Sequence, residues 1–334
     1  MLKYGLARSN SVATLMVACL LAAPALAGEE PPPARGDATV PPTEPATAPP
    51  TAPVLEATRE AVRSGATWLA RSVDSWFGDL RFEDGGSVTQ GRLALSLLRR
   101  EGESLDHRVR FDASLRLPNV ERNAYLFLGR DNERETVTDL PDALSQRQRL
   151  IAETPQQQSF FGGLGVTLLD LFDLRLGLRG GLKLYAQARY RTTFALGQGN
   201  IAGFSHSFFW TVQDQLGATT ALSLERELAP TLTVRWLNST TITRRREEFE
   251  WFSLLGAYHA FEGGRLLSLE GLASGVHGAP VDVADAGVRV RWAQRVWREW
   301  LVGELLVGHF WPRADASLPR DRRWGYGVGL TMKL

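Results

Sequence analysis

The sequence predicts an all-β fold, a transmembrane antiparallel β-barrel of about 14 strands preceded by a short amphipathic helix, with 12 strands as the alternative. Three observations lead to this prediction. From about residue 88 onward, segments of roughly ten residues alternate between apolar and polar side chains. The N-terminus has the pattern of an export signal. No later segment reaches the roughly 18 apolar residues that a membrane helix needs, so a chain that spans a membrane must do so as a closed barrel.

The first 27 residues predict a cleaved signal peptide. Lys3 and Arg8 precede an apolar run, which ends with the small residues of Ala25-Leu26-Ala27. A charged start, a short apolar middle and small residues at the cut site are what the export machinery recognises. A lipoprotein signal is the alternative, and it would make Cys19 the acylated first residue.

Composition excludes several classes of function. Cys19 is the only cysteine, so cleavage after Ala27 leaves no thiol for a disulfide, a metal–thiolate site or a cysteine nucleophile. The formal net charge of +1 and the pI of about 7.9 argue against a nucleic-acid partner. We expect no cofactor and no metal, because the sequence has neither a phosphate-binding glycine loop nor a metal-ligand motif.

Two segments lie between the signal peptide and the barrel. Residues 28–54 are rich in proline and poor in large apolar side chains, which predicts a disordered linker in the periplasm. It is either a spacer without a partner or a contact to peptidoglycan or a periplasmic protein. Residues 55–79 predict an amphipathic helix, because apolar residues recur at helical spacing. These residues are Val62, Leu69, Val73 and Trp76.

The helix suits two positions. Its aromatic residues fit a membrane interface, and they also fit the mouth of a barrel. We favour a plug or lid at the periplasmic mouth.

Strand-like alternation fills residues 85–334. The segment HRVRFDASLRLP is the clearest, with apolar residues on one face and charged or polar residues on the other. Turn signals between such segments give 14 strands, and merging residues 170–183 would give 12. Short and long connections alternate, as expected when short turns face the periplasm and longer loops face outward. A soluble β-sandwich is the alternative, but the export signal favours a barrel.

The C-terminal segment WGYGVGLTMKL is typical of the last strand of outer-membrane proteins, by which the barrel assembly machinery recognises them. Its outward face predicts this assembly signal, although Leu334 stands where an aromatic residue is usual. The alternative is an ordinary amphipathic edge strand. The predicted signal residues are Tyr326, Val328, Leu330, Met332 and Leu334.

Over residues 60–334 the order of features resembles an uncharacterised proteobacterial family of outer-membrane barrels. The resemblance is carried by SWFGD before the first strand, YAQARYR and SFFWT in the middle, VRVRWAQRVWREWLVGEL and the terminal strand. The resemblance supports the barrel architecture. Together, the export signal and the strand pattern predict a barrel in the outer membrane of a Gram-negative bacterium, in contact with membrane lipid and lipopolysaccharide. The resemblance implies no activity.

Arginines are the most informative residues on the predicted inward faces, and some carboxylates join them. They predict either a positively biased aqueous lumen that favours anions or a lumen filled by arginine–carboxylate pairs that brace a closed barrel. The predicted lumen residues are Arg108, Arg110, Arg116, Arg189, Arg191, Arg235, Arg289, Arg291, Glu225, Glu270 and Glu304.

Residues 131–158 form an unusually long connection, which is typical of a functional or disordered loop. Within it, LPDALSQRQRLIAE (residues 140–153) predicts a short helix. One hypothesis is that this loop folds into the lumen as a constriction.

The sequence therefore predicts a narrow, porin-like channel without catalytic residues. A closed structural or assembly-related barrel is the alternative, and an outer-membrane hydrolase is the third hypothesis. The hydrolase would need a Ser–His or Asp–His pair, but Ser274 and His277 fall on opposite faces of one strand.

Overall fold

The computed structural model describes Glu56, Arg59, Glu60 and residues 87–116, 123–245 and 249–334. Strands account for most of these residues, and every strand except β5, which has 8 residues, reaches the roughly nine residues needed to cross an apolar layer when tilted. The strands are β1 Ser87–Arg100, β2 Asp106–Arg116, β3 Ala124–Asn132, β4 Gln158–Leu168, β5 Phe172–Arg179, β6 Lys183–Gly197, β7 Asn200–Thr211, β8 Gln215–Ala229, β9 Leu232–Thr243, β10 Phe249–Phe261, β11 Arg265–His277, β12 Asp285–Trp297, β13 Leu301–Phe310 and β14 Arg323–Lys333.

The 14 strands form one closed antiparallel barrel. Each strand pairs with its neighbours in sequence, and β1 pairs with β14 from Arg92↔Lys333 to Arg100↔Gly325. The prediction of 14 strands is confirmed, because β5 is a separate strand. It ends at a turn in which Gly180 and Gly181 both have positive φ, the conformation that glycine adopts most readily.

The outer wall of the barrel is apolar and exposed. Leu97 and Tyr326, for example, are 52% and 54% exposed. Such a surface is unfavourable in water and suits lipid, so the fold is a transmembrane barrel with its polar side chains turned inward. Among the described residues, no helix has the length and apolar character needed to span a membrane.

The two ends of the barrel differ. We call the end at which β1 begins and β14 finishes the terminal end, and the other the loop end. From β4 onward, the strands at the terminal end are joined by short turns. The two longest connections, residues 133–157 and 311–322, are both at the loop end. The predicted alternation of short and long connections is therefore present.

Residues 133–157, which we call the lumen loop, begin with helix α1, Glu133–Thr138. The Asn132 side chain accepts hydrogen bonds from two backbone N–H groups of the first turn and so caps the helix. The prediction of a helix over residues 140–153 is wrong, because that stretch contains only a 3-10 turn at Asp142–Leu144. Helix α1 ends at Thr138 and does not continue into residues 140–153. Asp139 has a left-handed backbone conformation, and Pro141 has no N–H group to donate to a helical hydrogen bond.

Several predictions fall outside the described residues. They concern the signal peptide, the linker and the helix residues Val62, Leu69, Val73 and Trp76. Of the predicted helix 55–79, only Glu56, Arg59 and Glu60 are described, and all three are helical. They lie at the terminal end, where Glu56 pairs with Arg298 at 2.8 Å and Arg59 Nε donates to the Lys333 carbonyl at 3.1 Å.

Candidate functional site

The lumen loop packs inside the barrel through an apolar cluster. Leu144 and Leu150 of the loop are each 1% exposed. They pack against inward-facing side chains of five strands, so burial of apolar surface holds the loop in the lumen. The strand residues of this cluster are Leu98, Leu237, Leu254, Leu272, Leu306 and Phe310.

Glycines on the inward face of β14 make room for the loop. A Cβ added at Gly325 would lie 2.8 Å from Leu150 Cδ1, and one added at Gly329 would lie 2.9 Å from an Arg147 guanidinium nitrogen. Side chains at these positions would therefore collide with the loop. The alternating glycines of WGYGVGL thus shape the lumen for its occupant.

Two of the predicted lumen arginines bind the end of the loop. Arg108 and Arg110 each donate to Glu153 Oε1 at 3.0 Å, and Arg108 also donates to the Ile151 carbonyl. The Arg108 and Glu153 side chains are fully buried. A buried carboxylate between two guanidiniums fixes the end of the loop, and the two arginines have further carboxylate partners in Asp106 at 2.6 Å and Asp131 at 2.9 Å.

A third arginine binds the centre of the loop. Arg289 pairs with Glu270 of the neighbouring strand and donates to the backbone carbonyls of Gln148 and Ala143. These carbonyls belong to an irregular segment, so they have no regular secondary structure to satisfy them. Arg289 therefore stabilises the loop backbone rather than facing open water.

Asp139 connects the lumen loop to the barrel wall at β6 and β7. Its carboxylate lies 2.9 Å from Arg189 and 2.7 Å from Arg191, and it accepts a hydrogen bond from Ser207 at 2.8 Å. Burial alone would raise the pKa of Asp139, but the guanidiniums of Arg189 and Arg191 outweigh burial and hold the pKa below its ordinary value. Asp139 is thus an anion at neutral pH.

The pKa of Glu135 is shifted in the opposite direction, above its ordinary value. Its carboxylate accepts a 2.6 Å hydrogen bond from the Gln146 backbone and lies 3.6 Å from Arg110. Burial raises its pKa to about 7, and the nearby carboxylates of Glu153 and Asp131 add to the rise, while Arg110 and the Gln146 N–H group oppose it. This group inside the lumen therefore titrates near neutral pH.

The loop divides the remaining space of the lumen. A cavity of about 480 Å³ lies at the loop end, and cavities of about 640 and 400 Å³ lie on the terminal side. Leu140 lines both the first cavity and the 640 Å³ cavity. The adjacent wall of β7 to β9 carries small hydroxyl side chains, namely Ser205, Ser207, Thr219, Ser223, Ser239 and Thr241.

All eleven predicted lumen residues are on inward-facing positions. Arg108, Arg110, Arg189, Arg191 and Arg289 contact the lumen loop, as described above, and so does Glu304, which accepts hydrogen bonds from Arg147 at 2.5 Å and Gln148 at 3.2 Å. The others lie nearer the terminal end, where Arg235 pairs with Glu225 at 3.1 Å, Arg291 lies 3.6 Å from Glu304, and Arg116 lines the 400 Å³ cavity. A lumen lined by free arginines is therefore not what the structure contains, and the role of these residues in ion selection stays a prediction.

The residues of the lumen loop that make these contacts were not predicted from the sequence. Glu153, Asp139 and Leu140 were not singled out, although acidic residues within an unusually long loop could have indicated partners for inward arginines. The glycines at alternating positions of β14 were a second available signal.

The hydrolase hypothesis requires a histidine beside a serine or a carboxylate, and three histidines lie at the loop end of the barrel. Within residues 87–116, 123–245 and 249–334, none of His107, His277 and His309 hydrogen-bonds to either type of side chain. His309 packs between the rings of Trp311 and Trp324, and Ser274 accepts from Arg149 at 3.4 Å. In the same ranges, no three His, Cys, Asp or Glu side chains are arranged to hold a metal ion.

No protein-family model and no curated protein matches the chain. Among solved structures, OprB of Pseudomonas putida at high pH is similar at 7% identity and a TM-score of 0.46, over 76% of this chain and 95% of that one. An anion-selective porin from Comamonas acidovorans is similar at 8% identity and a TM-score of 0.42, over 75% and 100%. The KdgM porin in complex with disordered oligogalacturonate is similar at 9% identity and a TM-score of 0.37, over 73% and 99%. We carry no activity over from structures this distant.

Proposed function

We propose that this chain is an outer-membrane channel with a narrow lumen, in which the lumen loop limits passage. The lipid-suited outer wall, the closed strand pairing and the predicted signal peptide support a site in the outer membrane of a Gram-negative bacterium. The loop end then faces outward, and the terminal end faces the periplasm.

One observation carries the channel proposal: Leu140 lines the cavities on both sides of the loop. In this proposal the route for a solute runs between the loop and the hydroxyl-bearing wall of β7 to β9, and Leu140, which lines both cavities, forms the constriction. Small hydroxyls can replace part of the hydration shell of a polar solute. A single apolar side chain at a constriction opposes passage of water and ions until it moves.

The inward arginines then divide into two groups. Arg108, Arg110, Arg189 and Arg289 hold the loop and leave little charge for a passing solute, whereas Arg191 pairs with Asp139 of the loop but keeps 56% of its side chain exposed. Arg116, Arg191, Arg235 and Arg291 lie toward the terminal end, where fixed positive charge raises the local concentration of anions. Glu225 and Glu304 lower that charge, so we expect only a moderate preference for anions.

Single-channel conductance of the refolded mature chain, residues 28–334, in a planar bilayer tests this proposal. We expect small conductance steps that favour anions and decrease with anion size. Leu140→Ala should enlarge the steps, whereas Leu182→Ala should leave them unchanged, because Leu182 is 81% exposed in the turn between β5 and β6. Equal conductance in both variants would remove Leu140 from this role.

A sealed barrel is the second candidate, and the apolar cluster inside the lumen favours it. Eight buried hydrophobic residues from the loop and the wall pack together there. A folded, heat-modifiable barrel that conducts neither as the natural chain nor as Leu140→Ala would support the sealed form and contradict the channel.

Two further roles are proposed for segments outside the lumen. The helix over residues 55–79 covers the periplasmic mouth, and the described contacts of Glu56 and Arg59 attach its start to the terminal end. Deletion of residues 56–78 should raise conductance if the helix obstructs the mouth. The outward face from Tyr326 to Leu334 guides folding by the barrel assembly machinery, and the wall contacts lipid and lipopolysaccharide.

A further inference from the structure

Polar side chains on the outer wall are concentrated on one face. Near the strand middles, the outward positions of β11 to β14 and β1 to β5 hold aliphatic, aromatic or glycine residues in the described chain, except for Arg130 of β3, which lies over the Phe160 ring. The outward positions of β6 to β10 differ, because each of these five strands has at least one polar residue there. These residues are Thr192, His206, Thr220, Asn238, Thr240 and Ser253.

The polar residues are neighbours across the sheet. His206, Thr220 and Thr240 are paired in register on β7, β8 and β9, and Asn238 is paired with Ser253 on β10. Two of their hydrogen bonds are internal to the face: His206 Nδ1 lies 2.9 Å from Thr220 Oγ1, and Trp236 Nε1 donates to Ser253 Oγ at 3.3 Å. The side-chain amide of Asn238 has no hydrogen-bond partner among the described residues.

An open groove lies on the same face. It has a volume of about 720 Å³ and is lined mainly by apolar side chains, with Thr192 and Asn238 at its edge. Beside it on β7, Phe208 projects outward with 58% of its surface exposed. The face therefore contains both a groove and a projecting aromatic side chain.

Lipid alone leaves the side-chain amide of Asn238 without a hydrogen-bond partner. Asn238 lies near the middle of β9, where the surrounding hydrocarbon has no donor or acceptor for its amide. An amide without a partner in an apolar medium costs several kcal/mol. An asparagine side chain is both donor and acceptor, so two copies related by a two-fold axis can satisfy each other.

We propose that the β6–β10 face is a self-association surface whose partner is a second copy of this chain. In an isologous contact the same patch meets itself, so the Asn238 and Thr240 rows of two copies face each other. The projecting Phe208 of each copy then lies against the groove of the other. This contact is independent of whether the lumen conducts.

Cysteine cross-linking tests the proposal. In a Cys19→Ser background the chain has no other thiol, so Thr240→Cys reports the approach of two copies in reconstituted membranes. Val328→Cys is the matched control, because Val328 is an exposed outward residue on β14. Mild oxidation should give a disulfide-linked dimer of Thr240→Cys and leave Val328→Cys monomeric.

A second variant measures the polar contribution. Asn238→Leu should lower the dimer fraction of the Thr240→Cys chain by roughly three- to tenfold, the range typical of one polar contact inside a membrane. Heat modifiability checks that this variant folds. Four outcomes would overturn the proposal. Two concern the extent of cross-linking: equal cross-linking at positions 240 and 328, or none at position 240. The other two are a cross-link only to a different protein and a monomer with an acyl chain in the groove.

Discussion

Leu150 of the lumen loop packs against Gly327 on the inward face of β14, where a Cβ at Gly327 would lie 2.9 Å from Leu150 Cδ2. The same Cβ would lie 2.7 Å from Leu98 Cδ2. The lumen loop and the last strand therefore fit each other only because residue 327 has no side chain.

Gly327→Leu should expel the lumen loop from the barrel. The added side chain overlaps both leucines, and overpacking of this kind costs about 1–3 kcal/mol, which displacement of the loop relieves. We expect larger conductance steps and faster tryptic cleavage after Arg147 and Arg149. Gly162→Leu is the control, because a Cβ there meets its nearest atom at an ordinary 3.4 Å. Equal effects of the two variants would mean that the loop does not depend on this contact.

Glu153→Gln should weaken the attachment of the lumen loop to the barrel wall near the C-terminal end of the loop. The Arg108 and Arg110 guanidiniums would lose the carboxylate between them but keep Asp106 and Asp131 as partners, so the cost should be smaller than about 3–5 kcal/mol, the cost of leaving a buried charge without any partner. Release of the loop brings both arginines into contact with water, so channel opening should become more frequent. The measurement is open probability in a planar bilayer.

The control for this variant is Glu299→Gln. Glu299 pairs with Arg295 at 3.6 Å, but its side chain is 88% exposed, and an exposed pair contributes at most about 1 kcal/mol. Its opening frequency should match that of the natural chain. If Glu153→Gln behaved like Glu299→Gln, the buried pair would not hold the loop.

The barrel could be predicted from sequence, but the state of its lumen could not. Strand alternation fixes which side each residue faces, so Val109 and Arg110 were assigned to opposite faces without knowledge of any contact. The contact of Arg110 with Glu153 depends on the path of an irregular loop, which has no periodicity to predict it. The cap at Asn132 was a local signal for the true helix start, whereas the apolar pattern of residues 140–153 was misleading because those leucines pack into the lumen.

Loop binding should weaken as the pH rises. In the docked loop the pKa of Glu135 is raised from 4.5 to about 7 by burial, and release into water returns it to the ordinary value. The docked state therefore binds more protons between pH 4.5 and 7, so it loses stability as the pH rises through this window and changes no further above it. Opening should be rarer at pH 5 than at pH 8.

The size of this pH effect and its dependence on Glu135 can be measured. A shift of this magnitude corresponds to on the order of 3 kcal/mol, so we expect at least a tenfold change in open probability between pH 5 and pH 8. Glu135→Gln keeps an acceptor for the Gln146 N–H group but cannot titrate, so its profile should be flat. A profile unchanged by this substitution would assign the pH dependence to another group.

Arg116→Glu should lower the preference for anions without moving the loop. Arg116 lines the 400 Å³ cavity at the terminal end, and no carboxylate of the described residues pairs with it. Its charge is therefore available to solutes, unlike that of Arg289. Reversal potentials in a KCl gradient should shift toward cations, by roughly twofold in the permeability ratio, while the conductance step stays similar.

The control is Arg226→Glu. Arg226 is an exposed residue on the outer side of β8, so its substitution should leave the permeability ratio unchanged. A shift in both variants would indicate a general surface-charge effect, and a shift in neither would exclude Arg116 from ion selection.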